Sequence, residues 1–196
     1  MARPRSFDEA QVLERARDLF WERGYSATSI GDLERALGIS RSSLYASFGD
    51  KRALYDRTLE AYQRDNLTRL ERLLTESAGL RDTLTTLFTE AASAAADCPA
   101  GSRGCYIVNA TTEMANACPQ ALHFVSDNRE RFVAILARGL AAAQASGQLD
   151  AEADVTDLAN YLFVCYNGLQ VAVQTGIARG ALVRAVVRAV DGLPWV

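Results

Sequence analysis

The residues best suited to chemistry lie in a short polar stretch that begins at Ser40. Arg41, Ser42 and Ser43 follow it and offer a guanidinium group and two hydroxyls at consecutive positions. A guanidinium can donate two hydrogen bonds to guanine, and a hydroxyl can donate to or accept from several bases. Lys51, the only lysine of the chain, begins a later predicted helix, where a cation beside free backbone N–H groups is suited to holding a phosphate. These residue types predict contacts with nucleic acid.

Residues for catalysis or metal binding are not grouped in this sequence. His123 is the single histidine, and the spacing of the cysteines matches no zinc pattern. Neither a glycine-rich phosphate loop nor a nucleophile elbow is present. We therefore expect no enzyme activity, no metal and no cofactor. The cysteines are expected to be reduced thiols in the core: Cys98, Cys105, Cys118 and Cys165.

The composition is that of a globular protein, and the charge balance of the N-terminal 60 residues differs from that of the whole chain. Hydrophobic residues make up 49% of 196 positions, and only 4 prolines interrupt them. The net charge of −3 is not the basic balance typical of a nucleic-acid-binding protein, but residues 1–60 are neutral, with ten basic and ten acidic side chains. Neither a signal peptide nor an apolar run of membrane-spanning length is visible. We expect a soluble, cytoplasmic protein that does not contact membranes.

Two helices are predicted ahead of the polar stretch. A capping box at residues 6–9 begins the first, which ends near Gly24. Thr28 or Ser29 can cap the second, and Gly38 ends it. Both helices carry apolar residues at helical spacing, so each is expected to bury one face.

The third predicted helix displays the polar stretch itself. Ser40 is a natural N-cap, and Leu44 and Phe48 share an inward face. A helix this short is not stable alone, so its neighbours must hold it in place. Helix, tight turn and short helix form the helix-turn-helix pattern, here at about residues 29–48. The predicted domain that contains it spans residues 6–52.

Residues 7–60 resemble the DNA-binding domain of the TetR family of repressors. Residues 24–30 read Gly-Tyr-Ser-Ala-Thr-Ser-Ile, and residues 37–54 read Leu-Gly-Ile-Ser-Arg-Ser-Ser-Leu-Tyr-Ala-Ser-Phe-Gly-Asp-Lys-Arg-Ala-Leu. Glycine, tyrosine, phenylalanine and lysine fall at the family's spacing throughout these stretches. The resemblance implies an all-α protein that binds double-stranded operator DNA as a homodimer.

The resemblance also implies roles by position. Tyr45 and Lys51 would hold the operator backbone, residues 41–43 would read base edges, and Ala46 would lie near a thymine methyl group. Many members carry histidine where this chain has Ser47, so a histidine contact is absent there. The full predicted DNA-binding set is Thr28, Ser29, Ser40, Arg41, Ser42, Ser43, Tyr45, Ala46, Ser47 and Lys51.

Residues 53–196 are predicted to form a C-terminal helical domain for ligand binding and dimerisation. Residues 104–113 resemble a branch of the family in which a Gly-Cys pair opens a helix that lines the pocket for a small-molecule inducer. The alternative is a packed core with a solvated polar edge, which Asn116 would continue. The predicted lining residues are Phe88, Cys105, Asn109, Thr112, Glu113, Phe124, Phe132, Tyr161 and Tyr166.

Two apolar stripes near the C-terminus are candidates for a dimer interface. Family members dimerise through their last two long helices, and two such helices from each chain would form a four-helix contact. The alternative is that a stripe is ordinary core of one protomer. The predicted interface residues are Leu158, Leu162, Cys165, Leu169, Val183, Val186, Val187 and Val190.

The resulting interpretation is a ligand-responsive transcriptional regulator, a repressor if it follows the family's usual mode. It would bind a palindromic operator and be released by an inducer, with the long fourth helix moving the DNA-binding domain. One alternative is a redox or electrophile sensor acting through Cys105, because a thiol at a helix N-terminus is expected to have a lowered pKa. Another is a helical small-molecule-binding protein without DNA binding.

Overall fold

The computed structural model describes residues 7–76, 79–93, 103–114 and 119–196, and these are helical apart from short connections. The predicted all-α fold is confirmed. Within the described ranges one isolated bridge, Leu149 to Trp195, is the only β pairing. The helices are α1 (Glu9–Arg23), α2 (Ile30–Leu37), α3 (Arg41–Phe48), α4 (Lys51–Glu76), α5 (Leu80–Ser93), α6 (Tyr106–Met114), α7 (Pro119–Ala145), α8 (Val155–Ala172) and α9 (Arg179–Asp191).

Two helix boundaries differ from the sequence predictions. α1 begins later than the proposed capping box, because Asp8 is its N-cap and accepts a hydrogen bond from the N–H of Ala10 at 2.9 Å. The sequence also allows a second capping box at Asp127 and Glu130, with a break near Ser126, but α7 runs unbroken through these residues. The carboxylate of Asp127 does not cap a helix; it pairs with Arg131 one turn later and accepts from Gln63 of α4.

Local hydrogen bonds fix the start of each helix in the helix-turn-helix. Ser29 and Asp32 form a reciprocal capping box at α2, and Gly38 ends that helix with φ +68°, in the left-handed region. The Ser40 hydroxyl accepts from the N–H of Ser43 at 3.2 Å and so caps α3. Gly38 has a positive φ, and Ser40 caps the next helix two residues later, so the chain turns abruptly between α2 and α3.

Two large hydrophobic cores divide the described residues. The head core gathers α1 to α3 and the first half of α4, and it also includes Tyr106, Ala110 and Met114 of α6. The body core gathers α5, α7, α8, α9 and the second half of α4. α4 therefore links the two cores, and α6 belongs to the head core while it also contacts α7 and α8, so a movement of either helix must disturb the packing of the head.

Leu44 is expected to be the main anchor of α3. Its side chain is fully buried in the head core. Replacing it with alanine should lower the free energy of unfolding by about 2–5 kcal/mol, because the cavity collapses only in part. Urea unfolding at fixed protein concentration measures this change. Ser42→Ala, on the exposed face of the same helix, should change the free energy by less than about 0.5 kcal/mol; equal effects of the two variants would mean that Leu44 does not brace α3.

Candidate DNA-binding surface and ligand cleft

The outward face of α3 carries the side chains predicted to contact bases. Arg41, Ser42 and Ala46 are exposed, and Tyr45 is 41% exposed despite its large ring. The Arg41 guanidinium lies 5.9 Å from the Tyr45 ring, and among the described residues no carboxylate pairs with it. A solvated guanidinium without a carboxylate partner, on a braced helix, can reach a ligand with acceptor groups.

The remaining predicted DNA contacts have different surroundings. The predicted DNA contact of Thr28 is corrected, because its side chain is fully buried. Its hydroxyl donates to the carbonyl of Gly24 at 2.7 Å and so stabilises the turn from inside. Ser29 and Ser40 are exposed caps whose hydroxyls also serve the helix starts. Ser43 and Ser47 are half-buried at the edges of the exposed face.

Lys51 is the first residue of α4 and follows the end of α3 by three residues. Its ammonium nitrogen lies 4.2 Å from the centre of the Tyr25 ring. Partial burial lowers the pKa of Lys51, and the nearby charge of Glu113 opposes that change. Asp50 just before it accepts from the N–H of Ala53 at 2.7 Å and caps the helix. The cation is thus held against an aromatic face at the start of α4.

A cleft of about 870 Å³ lies between α4, α6 and α7. Its floor is apolar, and its rim carries matched charges, with Arg131 paired to Asp127 and Arg138 paired to Glu71. The cleft is large enough for a drug-sized molecule. The apolar floor is formed by Leu59, Leu67, Ala110, Met114, Ala121, Phe124 and Ile135.

The predicted pocket aromatics are mostly placed elsewhere. Phe124 lines the cleft. Phe88 and Phe132 lie in the body core on either side of Tyr166, with ring centres 5.7 and 5.3 Å from it, so that prediction is corrected to core packing. Tyr166 also borders a smaller cavity of about 270 Å³. Tyr161 is 44% exposed on the outside of α8 and cannot line an internal site.

The polar residues of α6 do not line the cleft. Asn109 donates to the carbonyl of Arg103 at 2.8 Å and accepts from Gln174, so it fastens the start of α6. Thr112 is exposed, and the partner of its hydroxyl within the described ranges is the carbonyl of Asn109 in its own helix. Glu113 reaches the head instead. The polar edge therefore faces the surface and the head; Asn116 lies outside the described residues.

Cys105 is buried at the start of α6, with its sulfur 3.8 Å from the Tyr62 hydroxyl. It does not line the cleft. The expected lowering of its pKa is wrong: burial raises the pKa of the thiol and outweighs the backbone N–H groups of Val108 and Ile107, which act in the opposite direction. Of the remaining cysteines, Cys165 is a half-buried thiol, and Cys98 and Cys118 lie outside the described residues.

Cys105 is therefore expected to react slowly in the folded protein. Only 6% of the residue is exposed, and a raised pKa leaves little thiolate at neutral pH. Alkylation with iodoacetamide, followed by peptide mass spectrometry, should be at least about tenfold slower at Cys105 in buffer than in denaturant. Equal rates in the two conditions would show that this thiol is accessible and activated.

The predicted dimer stripes are divided between the protomer core and its surface. Leu162, Leu169, Val186 and Val190 are buried in the body core, so their assignment to the interface is corrected. Heptad-like spacing alone does not distinguish the two environments, because both need one apolar face. The remaining predicted residues are half-buried, Leu158, Cys165 and Val183 at the edge of this core and Val187 elsewhere on α9.

An apolar face of α8 remains uncovered in the single protomer. Tyr161, Val164 and Val171 follow one another at helical spacing and are 44%, 67% and 47% exposed. Gly168 lies between them and offers no side chain, so another helix could approach closely. Ile177, just after α8, is 48% exposed. An apolar face of this kind is typical of a surface that is covered by another protein.

Sequence reasoning missed most of the cleft. One face of α4 supplies residues at steps of three and four, including Leu59, Gln63 and Leu67. That periodicity is visible in the sequence. It is expected equally for a helix that connects two domains and for a helix that lines a cleft, so it does not indicate which role α4 has. The capping role of Glu34, whose carboxylate accepts from the N–H of Arg41 at 2.6 Å, was also missed, because it lies on a neighbouring helix.

Two family models cover most of the chain. Residues 12–58 match "Bacterial regulatory proteins, tetR family", and residues 80–188 match "Tetracyclin repressor-like, C-terminal domain". The first match contains α2, α3 and Lys51, and the second contains α5 to α8 with most of α9. No helix within the described ranges combines the length and apolarity needed to cross a membrane.

Relatives and solved structures agree with these matches. The uncharacterized HTH-type transcriptional regulator YezE of Bacillus subtilis is 34% identical over 165 residues, which cover 83% of this chain and 84% of YezE. The HTH-type transcriptional repressor ComR of Escherichia coli is 29% identical over 89% of this chain and 83% of ComR.

A structure of the TetR-family regulator CifR, a cysteine mutant complexed with 26-base-pair operator DNA, superposes with a TM-score of 0.85. It is 28% identical and covers 98% of this chain and 100% of the CifR chain. Reduced Escherichia coli NemR has a TM-score of 0.84 at 16% identity, covers 94% of this chain and 95% of NemR, and shares the fold. The chain belongs to the TetR family of bacterial regulatory proteins.

Proposed function

We propose that this protein is a transcriptional repressor that binds a palindromic operator as a homodimer and is released by a small molecule. The observation that carries the proposal is the exposed face of α3, where the Arg41 guanidinium pairs with no carboxylate among the described residues. Leu44 and Phe48 hold that face outward. In a helix-turn-helix, the N-terminal residues of the second helix contact base edges in the major groove.

Each proposed DNA contact follows from its chemistry. Arg41 and Ser42 read bases, and Ala46 contacts a thymine methyl group. Tyr45 and Lys51 bind phosphates beside the groove, with Lys51 leaving the Tyr25 ring to do so. Ser29 places the N-terminus of α2 near a further phosphate, where backbone N–H groups favour an anion. The repressor ComR and the operator complex of CifR support this assignment by similarity.

The homodimer is proposed to form through the uncovered face of α8 and the adjoining side of α9. Two copies of this face would bury Tyr161, Val164 and Val171 and bring two α3 helices to the same side of the DNA. Operator half-sites must then lie about one helical turn apart, roughly 34–36 Å, or at a compatible spacing. As a regulator of chromosomal DNA, the protein is expected to act in the bacterial cytoplasm.

The inducer is proposed to bind in the cleft between α4, α6 and α7. Its apolar floor and neutral, internally paired rim favour an uncharged or amphipathic molecule. Because α4 and α6 also belong to the head core, a molecule that changes their positions shifts the two α3 helices. The coupling that release requires is modest, about 1–3 kcal/mol.

Selection from random DNA duplexes tests the function directly. We expect the full-length protein to enrich a palindrome and to bind it at nanomolar concentration. The affinity should fall steeply as salt is raised from about 50 mM to about 200 mM, because bound phosphates release their counterions. Failure to enrich any duplex, or an affinity that does not depend on salt, would contradict the proposal.

A further inference from the structure

The turn between α1 and α2 has the geometry of an anion site. Gly24 adopts φ +82°, and the next two backbone N–H groups, those of Tyr25 and Ser26, point to one carboxylate. Successive N–H groups that converge in this way form a concavity that binds anions. In this protein the anion comes from the body of the same chain.

Glu113 of α6 supplies that carboxylate. One oxygen accepts from the N–H of Tyr25 at 2.9 Å and the other from the N–H of Ser26 at 2.8 Å. Burial raises the pKa of Glu113, but these two donors and the charge of Lys51 together lower it by more, so the net pKa lies below its ordinary value. The carboxylate is therefore ionised at neutral pH.

The turn leaves space for this carboxylate. A side chain at Gly24 would place its Cβ 3.1 Å from one Glu113 oxygen, in a conformation that L-residues rarely adopt. The buried hydroxyl of Thr28 then ties the turn to the start of α2 through the carbonyl of Gly24. A change in the position of Glu113 would therefore also move the start of α2.

A neighbouring face of α6 borders the cleft. Ala110 and Met114 line the cleft floor and also pack in the head core. Met114 directly follows Glu113, so a molecule that displaces Met114 also displaces the carboxylate. α6 thus contacts the cleft through one face and the α1–α2 turn through the adjacent face.

We propose that Glu113 is a positioning residue that couples the cleft to the helix-turn-helix. With its carboxylate seated on Tyr25 and Ser26, the turn is fixed and α2 and α3 keep the orientation that binds DNA. When α6 moves, the carboxylate leaves the turn and that orientation is lost. This inference rests on the proposed repressor function and adds α6 to the path through α4.

Hydrogen exchange in the DNA-free protein tests whether the Glu113 carboxylate holds the amides of Tyr25 and Ser26. Glu113→Ala should speed exchange of the Tyr25 and Ser26 amides by about tenfold, as expected for the loss of charge-assisted hydrogen bonds. Glu113→Gln should have a smaller effect, because its amide oxygen can keep one of the two hydrogen bonds, whereas its NH2 group cannot accept the other. Thr112→Ala is the matched control, because this exposed neighbour bonds to the carbonyl of Asn109 in α6, and it should leave both rates unchanged. Equal exchange in all variants would overturn the proposal.

Operator DNA, used as the ligand, tests the coupling. Because coupling between two sites is reciprocal, binding of the selected duplex should slow exchange at the amides of Ala110 to Met114 by about fivefold or more in the unmodified protein. Glu113→Ala should bind the duplex more weakly, because the turn is no longer fixed, and at duplex concentrations that saturate this variant the response of α6 should disappear.

The two failures are distinguishable. If no duplex binds the unmodified protein, the proposed function fails and the coupling fails with it. If a duplex binds and α6 does not respond, or responds equally in Glu113→Ala, only the role of Glu113 is overturned. Thr112→Ala should retain both binding and the response of α6.

Discussion

Replacing Arg41 with alanine is expected to lower the affinity for the operator by about 30-fold or more. A guanidinium that reads a base contributes about 1–3 kcal/mol, and the substitution removes one such group from each protomer of the dimer, which amounts to about 2–6 kcal/mol. Specificity should relax at one base pair in each half-site. Fluorescence anisotropy with a matched series of single-base operator variants measures both effects.

Two control variants distinguish the recognition of a base by Arg41 from a general electrostatic attraction to the phosphates. Arg129→Ala removes an exposed arginine from α7, far along the chain from α3, and should leave the affinity nearly unchanged. Lys51→Gln should weaken binding to all sequences alike and reduce the salt slope by about one for each phosphate that the lysine no longer neutralises. An Arg41→Ala protein that binds every operator variant as the unmodified protein does would remove α3 from base recognition.

Replacing Val164 with arginine is expected to convert the dimer into monomers. Val164 is 67% exposed in the protomer, so the change should leave the fold of each protomer intact. In the dimer it would bury a charge against its symmetry mate, which costs several kcal/mol. Operator affinity should then fall on the order of a hundredfold, because the two half-sites are no longer bound by one particle.

Sedimentation equilibrium with circular dichroism measures this second prediction. Leu122→Arg is the matched control, because Leu122 is 57% exposed but lies on α7 rather than on α8. That variant should remain dimeric. Val164→Arg protein that keeps its dimer mass would show that the partner is bound elsewhere.

The recognition helix could be predicted from sequence because its signals are local. Ser40 caps α3, Gly38 makes the turn, and Leu44 and Phe48 lie one helical turn apart, so no distant residue was needed. Burial of Thr28 was missed because the choice between two adjacent hydroxyls as helix cap depends on how the turn packs. Ser29 has the acidic partner three residues later, which was the available signal.

The cleft and the interface were harder to predict than α3, because they depend on which face of a helix packs against which neighbour. The polar edge of α6 was expected to face a ligand, but Glu113 bonds to the head. Leu162 and Val186 have the spacing of an interface and the environment of a core. For Cys105 the local rule of a helix N-terminus was outweighed by burial, which only the packed structure reveals.

Footprinting of the selected operator tests most directly whether two α3 helices enter the major groove together. Bound protein should protect two blocks related by a dyad, with centres about 34–36 Å apart or at a compatible spacing, and with major-groove atoms of the bases shielded in each. Arg41→Ala should lose base protection at the same position in both blocks. A single protected block, or protection confined to the minor groove, would contradict the account.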